Sequence, residues 1–346
     1  MLRSDLSSFP EYKVGKDFPN ALKLSSNEVP FPPAEDIIAA VADAARTTNR
    51  YQQPGSLELT NALCNYLGVP ADNIFVSAGS TPILQATILA SCQTGDEVIV
   101  PWRSFEAYPL YVRMAGAEPV LVPLTEDYRV DLEAVLDALT DKTKLIILCN
   151  PNNPTGTVIT RGEFRAFMDQ VPKDVVVLLD EAYWEYNDAP DTPDSVEEYQ
   201  RYPNLLGVRT FSKAWGLAGM RVGYAVAGEE IINALRLLSL PLTVTAMAET
   251  AAVEVLKRHD ELDDAVEITK AQRDRVCAEL GAEKSYGNFV WLPRPDAEEV
   301  ETKMLDEGVV IRRYLDEGVR VSITDEAETT QFLEAWRRAG IEPWRG

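Results

Sequence analysis

Histidine is almost missing from this chain: His259 is the single one in 346 residues. That shortage argues against a Ser-His-Asp engine and against a zinc site built from several histidines. His259 itself falls in the charged run Lys257–Glu261, which reads as a solvated helix end. Cysteine is scarce too. Cys64, Cys92, Cys149 and Cys277 include no C-x-x-C pair, and two of them lie in apolar segments. Reduced, buried thiols of a cytoplasmic protein are expected, with no metal site. Basic charge is in deficit, with 33 Lys and Arg against 55 Asp and Glu, for a formal net charge of −22. A nucleic-acid partner is therefore excluded, since phosphate contacts need a basic face. Any anionic ligand must be held by a few well-placed arginines. No uninterrupted apolar run reaches the ~18 residues of a membrane span, and the polar start Met1–Asp5 opens no signal peptide, so no membrane partner is expected.

What is present is ample material for a core. Hydrophobic residues make up 46% of the chain, enough for roughly two domains. From Asn73 onward, short apolar runs alternate with amphipathic stretches. Strands are expected at Asn73–Ser77, Glu97–Val100, Pro119–Val122, Lys144–Cys149, Asp174–Leu179 and Leu205–Thr210. Helices are expected near Pro82–Cys92, Phe105–Met114, Asp131–Leu139 and Arg161–Val171. Runs that are apolar at nearly every position suit strands buried on both faces. Their alternation with helices predicts the α/β class, with a mostly parallel sheet covered by helices. The ends read differently. Pro10, Pro30, Pro32 and Pro33 mark an irregular N-terminal arm over residues 1–30, followed by a helix over Pro33–Arg46. A charged helix over Asp260–Leu280 precedes strands at Asn288–Leu292, Val309–Arg312 and Val319–Ile323. The expected division is an arm (1–30), a large domain (31–245, with 31–48 free to pack on its neighbour) and a small α+β C-terminal domain (246–346).

In open α/β sheets ligands bind beyond the carboxyl ends of the strands. After Leu205–Thr210 come Ser212 and Lys213, then Gly219-Met220-Arg221-Val222-Gly223. A lysine in a dry cleft loses pKa and turns nucleophilic toward an aldehyde; a solvated surface amine is the alternative. After Phe75-Val76-Ser77 stand Gly79, Ser80, Thr81 and Pro82, either an anion site at a helix start or a plain capped helix. After Leu148-Cys149 runs Asn150-Pro151-Asn152-Asn153-Pro154-Thr155-Gly156, a turn in which Asn153 offers an amide. Asp180 ends the most apolar strand, where a carboxylate needs a cationic N–H, a helix cap or an ion pair. Glu181 beside it can turn to solvent, and Tyr183 follows. Phe105, in Trp102-Arg103-Ser104-Phe105, stacks on a flat ligand or joins the core. Arg320, between Val319 and Val321, has a fork that matches a carboxylate or else snorkels to water. Together these residues supply each part of a site for pyridoxal 5′-phosphate (PLP), an aldehyde that carries a phosphate.

In this order the residues resemble the fold-type I PLP-dependent aminotransferases, which have the aspartate aminotransferase-like fold. Within them the chain resembles the histidinol-phosphate/aromatic group. The resemblance runs from Ser25-Ser26-Asn27-Glu28 to Arg320-Val321-Ser322. It is strongest at Asn150–Gly156, Asp180-Glu181-Ala182-Tyr183, Ser212-Lys213 and Gly219–Gly223. It implies a large PLP-binding domain with a seven-stranded-type sheet. It implies that Lys213 bonds the cofactor aldehyde and then moves the proton between the substrate α-carbon and the cofactor C4′. Asp180 would keep the pyridine nitrogen protonated, and Asn153 and Tyr183 would bond the ring O3′. Phe105 would stack on the ring, while Gly79, Ser80, Thr81, Ser212 and Arg221 would bind the phosphate. Tyr51 resembles a tyrosine that reaches the phosphate of a neighbouring subunit, so an active homodimer is implied. Arg320, assisted by Asn153, would grip the substrate α-carboxylate. Arg312, in Val310-Ile311-Arg312-Arg313, resembles a second arginine near the substrate tail, and Asn27 of the arm joins the substrate site. The implied reaction is transamination between an amino acid and an oxo acid in two half-reactions, with 2-oxoglutarate the usual acceptor.

The group divides over the side chain it accepts. Histidinol-phosphate enzymes commonly carry Asn-Glu-Asn-Pro-Tyr/Phe-Gly near the arm and Tyr-Pro-Asp further on. Here Asn27-Glu28-Val29-Pro30-Phe31-Pro32 and Tyr51-Gln52-Gln53 stand instead. The stretches Ser25–Val29, Pro101–Pro109 and Asn288–Pro293 resemble actinobacterial phenylalanine (aromatic amino acid) aminotransferases. Phenylalanine, tyrosine or their oxo acids are the favoured substrates, with histidinol phosphate as the alternative. A PLP-fold regulator would carry a DNA-binding domain ahead of this pattern, which here begins by about residue 23. A decarboxylase or lyase would use the same cofactor to break a different bond.

Overall fold

The computed structural model describes Phe9 and residues 18–342. Most of the predicted arm, residues 1–17, thus lies outside the described residues, Phe9 excepted. In chain order the strands are β1 (Leu22–Lys23), β2 (Ile74–Ser77), β3 (Glu97–Trp102), β4 (Glu118–Pro123), β5 (Thr143–Cys149) and β6 (Val176–Asp180). They continue with β7 (Leu205–Thr210), β8 (Gly223–Ala227), β9 (Phe289–Pro293), β10 (Val309–Val310), β11 (Arg312–Tyr314) and β12 (Gly318–Ser322). Among the described residues, seven form one sheet in the order β2-β8-β7-β6-β5-β3-β4.

The apolar runs explain this sheet. Along β5, Leu145 and Ile147 enter a core on one face with Val98, Val100 and Ile83. Ile146 and Leu148 enter the core on the other face with Val177, Phe164 and Phe167. A strand buried on both faces has no polar side to show, hence no alternation in its sequence. β3, β4, β5, β6 and β7 pair in parallel. One strand of this sheet lies outside the expected set. β8 runs antiparallel between β7 and β2, and its pattern Gly-Tyr-Ala-Val-Ala is short and opened by glycine.

A second core gathers around the three-stranded sheet β11-β12-β9. Val290, Leu292, Val319 and Val321 pack there against Val276 and Leu280 of helix His259–Leu280 and against Phe332 and Trp336 of helix Glu326–Arg338. The single expected strand Val309–Arg312 is in fact two. β10 pairs with β1, whereas β11 pairs with β12, so the backbone changes partner at Ile311. β1 and β10 form a separate two-stranded sheet, and the Ser322 N–H bonds Leu24 O at 2.9 Å, which fastens the described end of the arm to β12. Helix Glu35–Ala44, inside the expected first helix, lies against helix Ala246–Leu256. His259 opens its helix and stays exposed, 3.2 Å from the carboxylate of Asp260. Among the described residues, no helix is long and apolar enough to cross a membrane.

Candidate active site

The carboxyl ends of the parallel strands, together with the start of the reversed β8, open on a cavity of about 230 Å³. Its wall includes Ser80, Thr81, Phe105, Asn153, Asp180, Tyr183, Ser212, Lys213, Arg221, Arg312 and Arg320. A larger groove of about 870 Å³ lies between the Glu126–Arg129 turn and Tyr286 and contains none of these residues. The smaller cavity is therefore the chemical one.

Lys213 reaches this cavity from the loop after β7. Its Nζ donates to the carbonyl of Ser26 at 3.0 Å and sits 5.7 Å from the ring centroid of Tyr183. Burial lowers its pKa to about 7, with Arg320 and Arg221 adding repulsion while Glu28 and Asp180 oppose the shift. A substantial fraction of the amine is then neutral near pH 7 and able to act as a nucleophile or a base.

Asp180 is the last residue of β6 and is buried. Tyr108 Oη donates to its Oδ2 at 2.6 Å and the Ala182 N–H to its Oδ1 at 3.1 Å. Burial pushes this carboxyl up, and Tyr108, Ala182 and Lys213 pull it back. A cationic N–H placed beside it would offset the cost of keeping the charge in a dry site. The next residue corrects the sequence expectation. Glu181 does not face solvent: it is buried, paired with Arg209 at 2.9 Å and bonded to the Ser195 N–H. Successive side chains of an extended segment point to opposite faces, and both faces of this sheet are covered.

Asn27 with Tyr183, and Arg320 with Asn153, form two buried hydrogen-bonded clusters on this side of the cavity. Asn27 Nδ2 donates to Tyr183 Oη at 3.0 Å, and Asn27 Oδ1 accepts from Ser322 Oγ at 2.8 Å. Arg320 donates from one terminal nitrogen to Asn153 Oδ1 at 2.6 Å and to Tyr314 Oη at 3.1 Å. Its other terminal nitrogen donates to the Ser25 carbonyl at 2.6 Å, and its Nε is buried without a hydrogen-bond partner. A guanidinium has five N–H donors, so part of the fork remains available to a carboxylate.

One end of the cavity gathers Ser80, Thr81, Ser212 and Arg221. Gly79 has φ +91°, a backbone shape that suits glycine, and it caps helix Ser80–Ser91. A Cβ there would meet an Arg221 terminal nitrogen at 2.6 Å. Arg221 donates to Ser212 Oγ at 3.0 Å, which gathers the loop after β7 around the same point. Free N–H groups of a twelve-residue helix, the three hydroxyls of Ser80, Thr81 and Ser212, and a guanidinium suit a phosphate.

Not every expected residue meets here. Tyr51 is 87% exposed and lies on the surface, away from the cavity wall. Arg312 lies on the wall and is paired with Glu106 at 2.5 Å. Phe105 lies on the wall and meets Tyr108 edge-on at 5.3 Å between centroids. Tyr108, Tyr314, Glu106 and the carbonyls of Ser25 and Ser26 carry no signal in periodicity or spacing. They enter the site only through contacts between segments distant in the chain. Among the described residues, no group of His, Cys, Asp or Glu is arranged to hold a metal ion.

This fold and this site define a PLP-dependent transferase of amino groups, and comparison with known proteins agrees. Residues 19–335 match the family model described as aminotransferase class I and II, and the chain belongs to that family. It is an aminotransferase whose cofactor is pyridoxal 5′-phosphate. Its relatives include proteins named aromatic amino acid aminotransferase. The one from Corynebacterium glutamicum (strain R) is 49% identical, over 97% of this chain and 98% of the relative. That from Rhodococcus jostii is 45% identical, over 96% and 94%. Among solved structures, the histidinol-phosphate aminotransferase of Sinorhizobium meliloti in complex with pyridoxal-5′-phosphate superposes with a TM-score of 0.86. It is 28% identical, with 92% of this chain and 90% of that one covered.

Proposed function

We propose that the protein transfers the amino group of phenylalanine or tyrosine to an oxo acid, with 2-oxoglutarate as acceptor. The observation that carries this reading is the end-to-end similarity, near one residue in two, to relatives named for aromatic amino acids. The cavity wall supports it, because the ion pair with Glu106 leaves no net charge at Arg312 to demand an acidic side chain.

Bound in the cavity, PLP supplies an aldehyde carbon and an electron-withdrawing ring. Lys213 would bond that carbon and, once displaced by substrate, would serve as the base that takes the α-proton and returns it at C4′. Its low pKa suits both tasks near neutrality. Asp180, oriented by Tyr108 and the Ala182 N–H, would hold the pyridine nitrogen protonated. Asn153 and Tyr183 would face the ring oxygen, and Phe105 would cover the ring. Gly79, Ser80, Thr81, Ser212 and Arg221 would hold the phosphate. Arg320 would orient the α-carboxylate with its remaining donors, with Asn153, Tyr314 and the Ser25 carbonyl of the arm fixing the fork, while the arm residue Asn27 holds Tyr183 beside the substrate.

We further propose a homodimer. Leu237 (85% exposed) and Leu240 (79%) offer apolar surface that a second copy would bury, and exposed Tyr51 would reach the partner's phosphate cup.

A panel of single half-reactions tests the substrate reading. Conversion of the PLP form is followed spectroscopically with phenylalanine, tyrosine, histidinol phosphate and aspartate. Phenylalanine and tyrosine should give the highest kcat/KM. A higher value for histidinol phosphate, the substrate named for the solved neighbour, would replace this reading with that one.

A further inference from the structure

We propose that Glu106 is a specificity-determining residue: it neutralises Arg312 at the tail end of the cavity, and an acidic substrate must displace it. The inference rests on the transamination reading above and concerns how one cavity accepts both an uncharged and an acidic side chain.

The register of the small sheet raises the question. Arg312 of β11 and Arg320 of β12 are directly opposed Cα partners. Side chains opposed across an antiparallel pair lie on the same face, and like charges there repel. Both guanidinium groups indeed line the cavity. They are compensated in different ways. The hydrogen bonds of Arg320 go to Asn153 Oδ1, Tyr314 Oη and the Ser25 carbonyl, all neutral acceptors. Its charge is therefore retained for a substrate carboxylate. Arg312 instead meets a full carboxylate, with its terminal nitrogen 2.5 Å from Glu106 Oε2.

Glu106 comes from the other sheet. It follows Phe105 in the loop after β3 and is itself part of the cavity wall. The pair thus crosses from the loop after β3 to β11 at the cavity wall. Its side chains are 16% and 32% exposed, so it is desolvated enough to matter and open enough to exchange. A phenyl or phenol side chain next to a closed Arg312–Glu106 pair meets no net charge. The second carboxylate of glutamate or 2-oxoglutarate meets Glu106 as a like charge and Arg312 as a partner already taken. It can bind well only by exchanging places with Glu106.

The test uses the PLP-loaded enzyme in single half-reactions with glutamate and with phenylalanine. Glu106→Gln should raise kcat/KM for glutamate about tenfold, mainly through KM, and should lower it for phenylalanine, whose ring then meets an uncompensated Arg312, as expected for loss of one competing charged partner. The double variant Glu106→Gln/Arg312→Gln should lose that gain, and Glu106→Asp, which keeps the charge, should stay near wild type. A glutamate value within about twofold of wild type in Glu106→Gln would overturn the proposal, as would a gain that survives removal of Arg312. Phenylalanine turnover by the wild type separately tests the proposed substrate, so the two failures are distinguishable.

Discussion

Lys213 shows how far one side chain depends on its surroundings. An ordinary lysine at pH 7 has only about one amine in three thousand unprotonated. Burial and the nearby arginines bring Lys213 to about 7, where about half is neutral. The shift is downward, so the reactive form grows as pH rises through 7. Capture of PLP by the apoenzyme, followed by stopped flow, should therefore accelerate about tenfold between pH 6 and pH 8. A midpoint near 10 would contradict the buried setting. Lys213→Ala should abolish both capture and the borohydride-trapped bond. The lysine and Asp180 were legible in the sequence because each follows an apolar strand that leaves no ordinary reason for a charge. Their immediate partners were not. Tyr108 reaches Asp180 across 72 positions and the Ser26 carbonyl reaches Lys213 across 187, and no local pattern encodes such contacts.

Among the elements, β8 is the instructive case. The parallel strands announce themselves by continuous apolar runs, and the candidate residues sit at their ends because that is where open sheets expose backbone. β8 carries a weaker signal because Gly223, Ala225 and Ala227 replace the branched residues of its neighbours and because it returns from a loop rather than from a helix. Its first residue nevertheless packs on the helix start proposed to hold the phosphate. A Cβ on Gly223 would lie 2.6 Å from the Ser80 nitrogen and 2.7 Å from the Gly79 carbonyl carbon, both backbone atoms that cannot swing aside. Gly223→Ala should cost about 1–3 kcal/mol of stability, as overpacking does, and should weaken PLP binding. Gly219→Ala, which meets nothing within 4 Å, should change stability by less than about 0.5 kcal/mol. Thermal melts of the apoprotein and PLP titrations compare the two. Equal behaviour would mean that the packing of β8 on the helix start is unimportant to holding the phosphate.

For the molecule as a whole, the proposed second copy decides whether the site is complete. Exposed leucines on an acidic protein with net charge −22 are costly to leave in water and easily split by added charge. Leu237→Asp/Leu240→Asp should convert the dimer to monomer in sedimentation velocity and weaken cofactor retention through loss of Tyr51 from the partner. A wild type that sediments as a monomer would remove both expectations. The reversed β8 has one more consequence. The return from β7 to the antiparallel β8 pins the Ser212–Arg221 loop at both ends to one sheet. On the proposed assignment, the covalent anchor and the phosphate clasp ride on this single stiff bracket, while Arg320 rides on the other sheet. Motion between the two sheets would then re-aim Arg320 and the incoming amino acid about its bond to Asn153, while Lys213 and Arg221 stay together on one sheet.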